Sequence, residues 1–352
     1  MNELPSQILE CTLRDGSYVI DFQFTAEETA RISYQLDALG FPLIEVGHGI
    51  GLGASAKGLG AAAATDEAYM AAAAESVRKG KWGMFCIPGI AELDQLNIAA
   101  EHRMDFIRVG CEVEDVAETQ RFIEKARELG IYVFSNMMKS YVSAPGYFAK
   151  QATRCIEFGA QCVYIVDSAG GMLPDEVLSY ADALRQQQPQ VKLGFHGHNN
   201  IGMGVANALH CVANGFDVID TSLQGFGRSA GNTPTEQFIA ALLRSGFDVP
   251  YDAVAVMQAG EEFIRPLMRE PGISSLDLTA GLALFHTSYM RRVLDAAREA
   301  RVDPRRLIIA ICEEDKVNAP QDLIARCISN LQGKVPARGV AFVKSYYGEE
   351  QT

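Results

Sequence analysis

From residue 7 to about 245, short apolar runs alternate with longer stretches in which apolar residues recur every three or four positions. The short runs are four to seven residues long and rich in β-branched and aromatic side chains. They predict strands at 7–13, 43–47, 82–87, 106–109, 132–137, 162–166, 192–195 and 218–222. The periodic stretches predict helices over about 26–39, 66–79, 92–101, 115–129, 146–158, 174–187, 203–214 and 235–245. Gly40, Gly80, Gly130, Gly159 and Gly215 stand near the ends of these helices, where a left-handed cap favours glycine. Eight strands and eight helices in strict alternation predict an α/β fold of the (β/α)8 TIM-barrel type. A doubly wound sheet would need a dinucleotide fingerprint after the first strand, and Arg14-Asp15-Gly16 stands there instead.

Beyond residue 250 the rhythm breaks. Helical periodicity continues over roughly 252–266, 280–300, 304–312 and 320–331 without intervening strands. The expected organisation is a catalytic barrel over 1–250 and a small C-terminal helical domain over 251–352, whose polar tail after Gly333 receives no assignment. The 352 residues suffice for such a pair.

Net charge is −13 and no run of five or more Lys/Arg occurs, which argues against a nucleic-acid partner. No run of 18 apolar residues is present, and the opening Met-Asn-Glu-Leu-Pro is no signal peptide, so no membrane association is expected. The eight cysteines include no CxxC pair and sit mostly in apolar runs, as reduced thiols of a cytoplasmic protein do.

The barrel assignment gives the polar clusters a place. Arg14 and Asp15 close the first strand, Asp167 and Ser168 the sixth, and His196 and His198 the seventh, while 221–232 follow the eighth. All fall at strand C-termini, the face where barrel enzymes work. His196 and His198 are two apart, so on a strand they project to one side. With Asp15 they can hold a divalent metal and leave positions open; two nitrogens and a carboxylate suit Mn, Zn, Co or Fe better than Mg or Ca. Arg14 either makes a plain ion pair with Asp15 or holds a carboxylate and a developing oxyanion; the glycine at 16 favours the second by allowing a sharp turn and close approach of a ligand. Asn232 is expected to support the metal, directly or through a water. The glycine-rich stretch 47–60 lacks phosphate-loop spacing. It reads as a flexible loop over the barrel mouth, where His48 lines the site or caps the loop. A metal-dependent carbon–carbon lyase follows.

Thr12-Leu13-Arg14-Asp15-Gly16, His196-Gly197-His198-Asn199-Asn200 and Gly231-Asn232 together resemble the metal-dependent lyase superfamily with an Asp-Arg-Glu-type signature on a TIM barrel. It includes 3-hydroxy-3-methylglutaryl-CoA lyase, isopropylmalate and homocitrate synthases and 4-hydroxy-2-oxovalerate aldolase. Residues 45–53, 136–138, 164–171 and 281–331 resemble the last branch. That resemblance implies cleavage of a 4-hydroxy-2-oxo acid to pyruvate and an aldehyde. It makes Asp15, His196 and His198 the metal ligands, with manganese first and magnesium, cobalt or zinc as alternatives. Arg14 would steady the pyruvate enolate. Ser168 and His48, from their positions after strands, are further candidates for contact with substrate. An acylating aldehyde dehydrogenase on the C-terminal helices and a homo-oligomer are implied as well. One departure stands out: the aldolases carry His where this chain has Tyr18, and Tyr where it has His286. The exchange suggests His286 as general base and Tyr18 as a hydrogen-bond donor, or a site retuned for another acceptor. An acyl-CoA-dependent Claisen synthase or lyase is the alternative; the synthases continue Asp-Gly with Glu-Gln, where this chain has Ser17-Tyr18.

Overall fold

The computed structural model describes residues 2–268 and 274–332. Eight parallel strands close into a barrel: β2 (Gln7–Glu10), β3 (Leu43–Glu45), β4 (Lys81–Cys86), β5 (Phe106–Glu112), β6 (Tyr132–Met138), β7 (Cys162–Asp167), β8 (Leu193–Gly197) and β9 (Val218–Thr221). β2 pairs with β9 from Gln7↔Val218 to Glu10↔Thr221, which seals the cylinder. A helix follows each strand, from α1 (Ala26–Ala38) and α2 (Asp66–Ser76) through α8 (Thr235–Arg244). Starts are chemically marked: Thr25 and Glu28 exchange side-chain-to-backbone hydrogen bonds at α1, a capping box that satisfies two otherwise orphaned donors. At the bottom of the barrel, β1 (Asn2–Glu3) and β10 (Phe247–Asp248) form a small parallel pair.

Alternation along the strands sorts two environments. Ile8, Ile107, Val133, Val163 and Ile219 face the helices. Leu9, Phe106, Phe134, Tyr164 and Val218 fill the barrel interior. Two residues further along the same inward series, the filling changes from apolar to charged: Glu45, Arg108, Asn136, His196 and Asp220 are all buried.

The C-terminal helices have their own core, built from Leu276, Ala280, Phe285, Met290, Val293, Leu307, Ile311 and Ile324 among others. Tyr251, Val256, Ala259 and Ile264 belong to the barrel's core instead. The short helix α9 (Ala253–Ala259), beyond residue 250, thus packs with the barrel. The end of the expected second domain, 333–352, lies outside the described residues.

Three local expectations change. The first strand stops at Glu10; the chain turns at Cys11 and enters a 3₁₀ segment, Asp15–Ile20, because Arg14 N–H and Asp15 N–H both return to the Cys11 carbonyl. The glycine-rich loop is packed rather than free: Leu52 N–H donates to the Phe85 carbonyl at 2.9 Å and Gly53 N–H to Asp66 at 2.8 Å. The helix expected over 280–300 is broken. α10 (Ser275–Ala283) ends at Leu284 in a left-handed conformation, φ 58°. A 3₁₀ turn (Thr287–Tyr289) then leads into α11 (Met290–Ala300), and the break holds His286.

Candidate active site

A cavity of about 40 Å³ opens at the C-terminal end of the barrel, bordered by Arg14, Asp15, Tyr18, Ser168, His196, His198, Arg228 and His286. It has room for a few water-sized groups. Nearly every residue singled out from sequence thus comes together, though the chain reaches the cavity differently from expectation. Arg14 and Asp15 lie beyond the first strand, on the turn into the 3₁₀ segment, and His198 stands one residue past the end of β8.

Asp15 Oδ2 is 3.9 Å from the Nε2 atoms of both His196 and His198. The three ligand atoms lie within 4.8 Å of one another and all three residues are buried. Among the described residues, Asp15 Oδ2 has no hydrogen-bond partner, nor has His198 Nδ1 or Asn232 Oδ1. Buried polar atoms left without partners are costly, and a divalent cation would satisfy the carboxylate oxygen. The donor set, one carboxylate and two imidazoles, fits such an ion. Burial pushes the His198 pKa down to about 3. Asp15 sits well below the ordinary carboxylate range: burial opposes ionisation, but Arg14 and the two histidines outweigh it. A neutral imidazole and an ionised carboxylate are the forms that bind metal. His196 is oriented from behind, its Nδ1 lying 2.7 Å from Asp220 Oδ2, so that Nε2 faces Asp15. Asn232 pairs with His198 through a backbone bridge, which brings its side chain to the flank of the cluster.

Arg14 is held on two sides. Its Nε donates to Glu45 Oε2 at 2.9 Å and its Nη1 to Asp15 Oδ1 at 2.8 Å, leaving Nη2 for a ligand. The ion pair with Asp15 is therefore real, and it orients the fork rather than consuming it. Gly16 serves packing: a Cβ there would stand 2.5 Å from Phe226 of the β9 loop.

Ser168 Oγ accepts from Lys139 N–H at 3.1 Å, so its own proton is free to face the cavity. Asp167 turns away, accepting from the Gly171 and Met172 N–H groups to shape its loop. His48 lies outside the cavity lining. Its Nδ1 accepts from Ile50 N–H, its Nε2 lies 3.1 Å from the Gly60 carbonyl, and its ring stacks on Phe22. Of its two readings the loop cap describes its position, and the direct substrate contact does not.

Tyr18 and His286 both border the cavity. The His286 ring comes from the break between α10 and α11 and is buried. Its Nδ1 accepts from Ser288 N–H at 3.3 Å and lies 2.7 Å from Ser288 Oγ, which leaves Nε2 as the nitrogen for other partners. Burial, followed by the nearby cations of Arg228 and Lys139, holds its pKa well below that of an ordinary histidine. Arg228 was not foreseen. It follows β9, lies over the Tyr18 ring at 5.8 Å and donates to Thr287 Oγ1 at 2.8 Å. Its surroundings in sequence, Gly-Phe-Gly-Arg-Ser-Ala-Gly-Asn, suggest only a tight loop. Arg108 was missed as well, since a single cation inside an apolar strand carries no periodic signal.

A (β/α)8 barrel with a candidate metal triad and an arginine at its C-terminal rim defines the class. The chain belongs to the HMGL-like family, whose model matches residues 6–262. It is 36% identical over 331 residues to a 4-hydroxy-2-oxovalerate aldolase of Streptomyces griseus, covering 94% of this chain and 97% of that protein. It is 35% identical over 319 residues to the enzyme of that name from Carboxydothermus hydrogenoformans, covering 90% and 95%. The fold is shared with the HMG-CoA lyase of Brucella melitensis, with TM-score 0.65, 19% identity and coverage of 77% of this chain and 100% of that one. It is shared too with the carboxyl transferase domain of Rhizobium etli pyruvate carboxylase, with TM-score 0.75, 16% identity and coverage of 96% and 62%.

Proposed function

We propose that the protein is a divalent-metal-dependent aldolase that cleaves a 4-hydroxy-2-oxo acid to pyruvate and an aldehyde. The observation that carries this reading is the unpartnered Asp15 Oδ2 between two imidazoles, beside an arginine with a nitrogen to spare. Asp15, His196 and His198 would hold the metal, with Asn232 supporting it, and manganese is our first choice for this donor set. A metal bound there acts as a Lewis acid toward the 2-oxo group. Arg14 Nη2 donates to the oxygen that gains negative charge as the carbon–carbon bond breaks, a stabilisation confined to the transition state and product. Ser168 donates from the side of β7. His286 Nε2 takes the proton of the 4-hydroxyl group; the electrons of the breaking C3–C4 bond move into the enolate of pyruvate. Tyr18, under the Arg228 cation, donates a hydrogen bond to the substrate. The aldolase names of the relatives support this reaction over the acyl-CoA-dependent Claisen alternative.

All eight cysteines are buried and free, which suits a reducing, cytoplasmic compartment. Among the described residues no helix is long and apolar enough to cross a membrane. Leu278 and Leu282, one turn apart on α10, expose 44% and 70% of their surface, and apolar ridges of this kind suit a protein partner. An acylating aldehyde dehydrogenase and a second copy of this chain are the partners we infer from the resemblance.

The test is pyruvate release from 4-hydroxy-2-oxovalerate, followed through lactate dehydrogenase after chelation and after return of Mn²⁺. Activity lost on chelation and restored by the metal is expected. Full activity in the chelated protein would remove the reading.

A further inference from the structure

Above the apolar floor of the barrel lies a closed series of charged groups, and Arg108 is its centre. From β5 the side chain reaches the barrel axis with no exposed surface. Its Nη1 donates to Glu45 Oε2 at 2.8 Å, and its Nη2 donates to Asn136 Oδ1 at 2.8 Å and lies 2.7 Å from Asp220 Oδ2. The guanidinium lies 4.5 Å over the Tyr164 ring, whose hand in packing is visible at Gly194, where a Cβ would stand 2.5 Å from it.

The choice of oxygens is informative. Glu45 Oε2 accepts from both Arg108 Nη1 and Arg14 Nε. Asp220 Oδ2 meets both Arg108 Nη2 and His196 Nδ1. Among the described residues, the second oxygen of Glu45 and Nε of Arg108 have no hydrogen-bond partner, while Asp220 also faces the Tyr164 hydroxyl. A buried ion pair selected for stability alone would match two donors to two oxygens in a fork, and an apolar filling of the same space is often at least as stable. Barrel interiors are ordinarily filled with branched apolar side chains. Here each carboxylate uses one oxygen as a relay, with Arg108 on one side and a site residue on the other.

We propose that Arg108 is a positioning residue that sets the spacing between Arg14 and His196, and so couples the substrate-holding arm of the site to its metal-holding arm. The proposal rests on the metal-site reading above. Arg14 and His196 leave different strands and are joined by no direct hydrogen bond among the described residues. Asp15 links them on the cavity side, accepting from Arg14 and facing His196; beneath them the second common reference is the Arg108 guanidinium, through Glu45 and Asp220. A lysine cannot reproduce this, because one point charge cannot hold two carboxylates at fixed separation.

The experiment is R108K, checked for folding by circular dichroism and thermal melting. Mn²⁺ affinity is measured by calorimetric titration without substrate, and kcat and KM at saturating Mn²⁺. Affinity is expected to fall by about 10- to 100-fold, as for lost partners of metal-ligating histidines. A drop of about tenfold in kcat should persist at saturating metal, because the Arg14 arm is loosened too. A melting temperature that falls while both readouts stay at wild-type values would show Arg108 to be a structural plug and overturn the proposal. If R108K does not fold, N136A removes one anchor of Arg108 without changing charge, and a several-fold weaker Mn²⁺ affinity is expected; an unchanged affinity would overturn the proposal equally. H198A separates the two levels. Wild-type Mn²⁺ affinity in H198A defeats the metal-site reading itself, whereas wild-type affinity in folded R108K defeats only the coupling.

Discussion

Replacing His286 by alanine tests the proton acceptor of the proposed cleavage. The imidazole is 2% exposed and is pinned through Nδ1 by Ser288, so the ring is pre-oriented rather than searching. A positioned base contributes roughly 10²- to 10⁴-fold, or about 3–5 kcal/mol of barrier at about 1.4 kcal/mol per factor of ten. Cleavage of 4-hydroxy-2-oxovalerate by H286A should fall by that factor. Exchange of the pyruvate methyl protons with D₂O, followed by NMR, should survive within about one power of ten, because Arg14 and the metal triad that support it are untouched. Y18F should lose less than H286A. The pH profile supplies a second readout. The base acts unprotonated, and its surroundings lower its pKa below the ordinary 6.5, so the acid limb of kcat/KM should lie below pH 6.5. Substituting Arg228 by glutamine removes one of the cations responsible and should move that limb upward. Undiminished cleavage in H286A, or equal loss of cleavage and exchange, would refute the assignment of His286 as base.

The H198A protein should fold normally and lose both metal and activity, as read by elemental analysis and the coupled assay; full occupancy would contradict the triad. R14K should lose about 10²- to 10³-fold in kcat, the scale of one preorganised oxyanion donor, and an effect confined to KM would contradict the role of Arg14 Nη2. G16A should force the Phe226 ring aside and cost about 1–3 kcal/mol by overpacking, visible as a lower melting temperature; an unchanged melt would show that the ring yields freely.

The barrel was legible because its strands and helices repeat a simple pattern, and because Asp15, His196 and His198 each stand near a strand's C-terminal end. The exact ends were less legible. Backbone hydrogen bonds of Arg14 and Asp15 to Cys11 stop the first strand early, and no side-chain period announces that. The break at 284–289 was hidden for the same reason. Residues 280–300 have helical periodicity, yet the left-handed Leu284 and the His286 contact with Ser288 end one helix and start another. Arg108 and Arg228 were illegible in a different sense. Their importance comes from partners 28 to 112 residues away for Arg108, at Glu45, Asn136 and Asp220, and from Tyr18 and Thr287 for Arg228.

The residues around the cavity come from two units with separate hydrophobic cores. His196 stands in β8 and Arg14, Asp15 and His198 on the turns that follow barrel strands, while His286 belongs to the helical unit and reaches the cavity only because that unit sits on the rim. Lys139 fixes the seat: wholly buried, it reaches from the end of β6 to Glu112, the Tyr289 hydroxyl and the Val317 carbonyl. Asn200 and Ser229 grip Asp277 on the other side. A refolding chain would thus become able to capture a metal once its barrel closes, and able to break a carbon–carbon bond only after the second core docks. Mild heating should undo these abilities in reverse order, so that a protein still loaded with metal has already ceased to be a lyase.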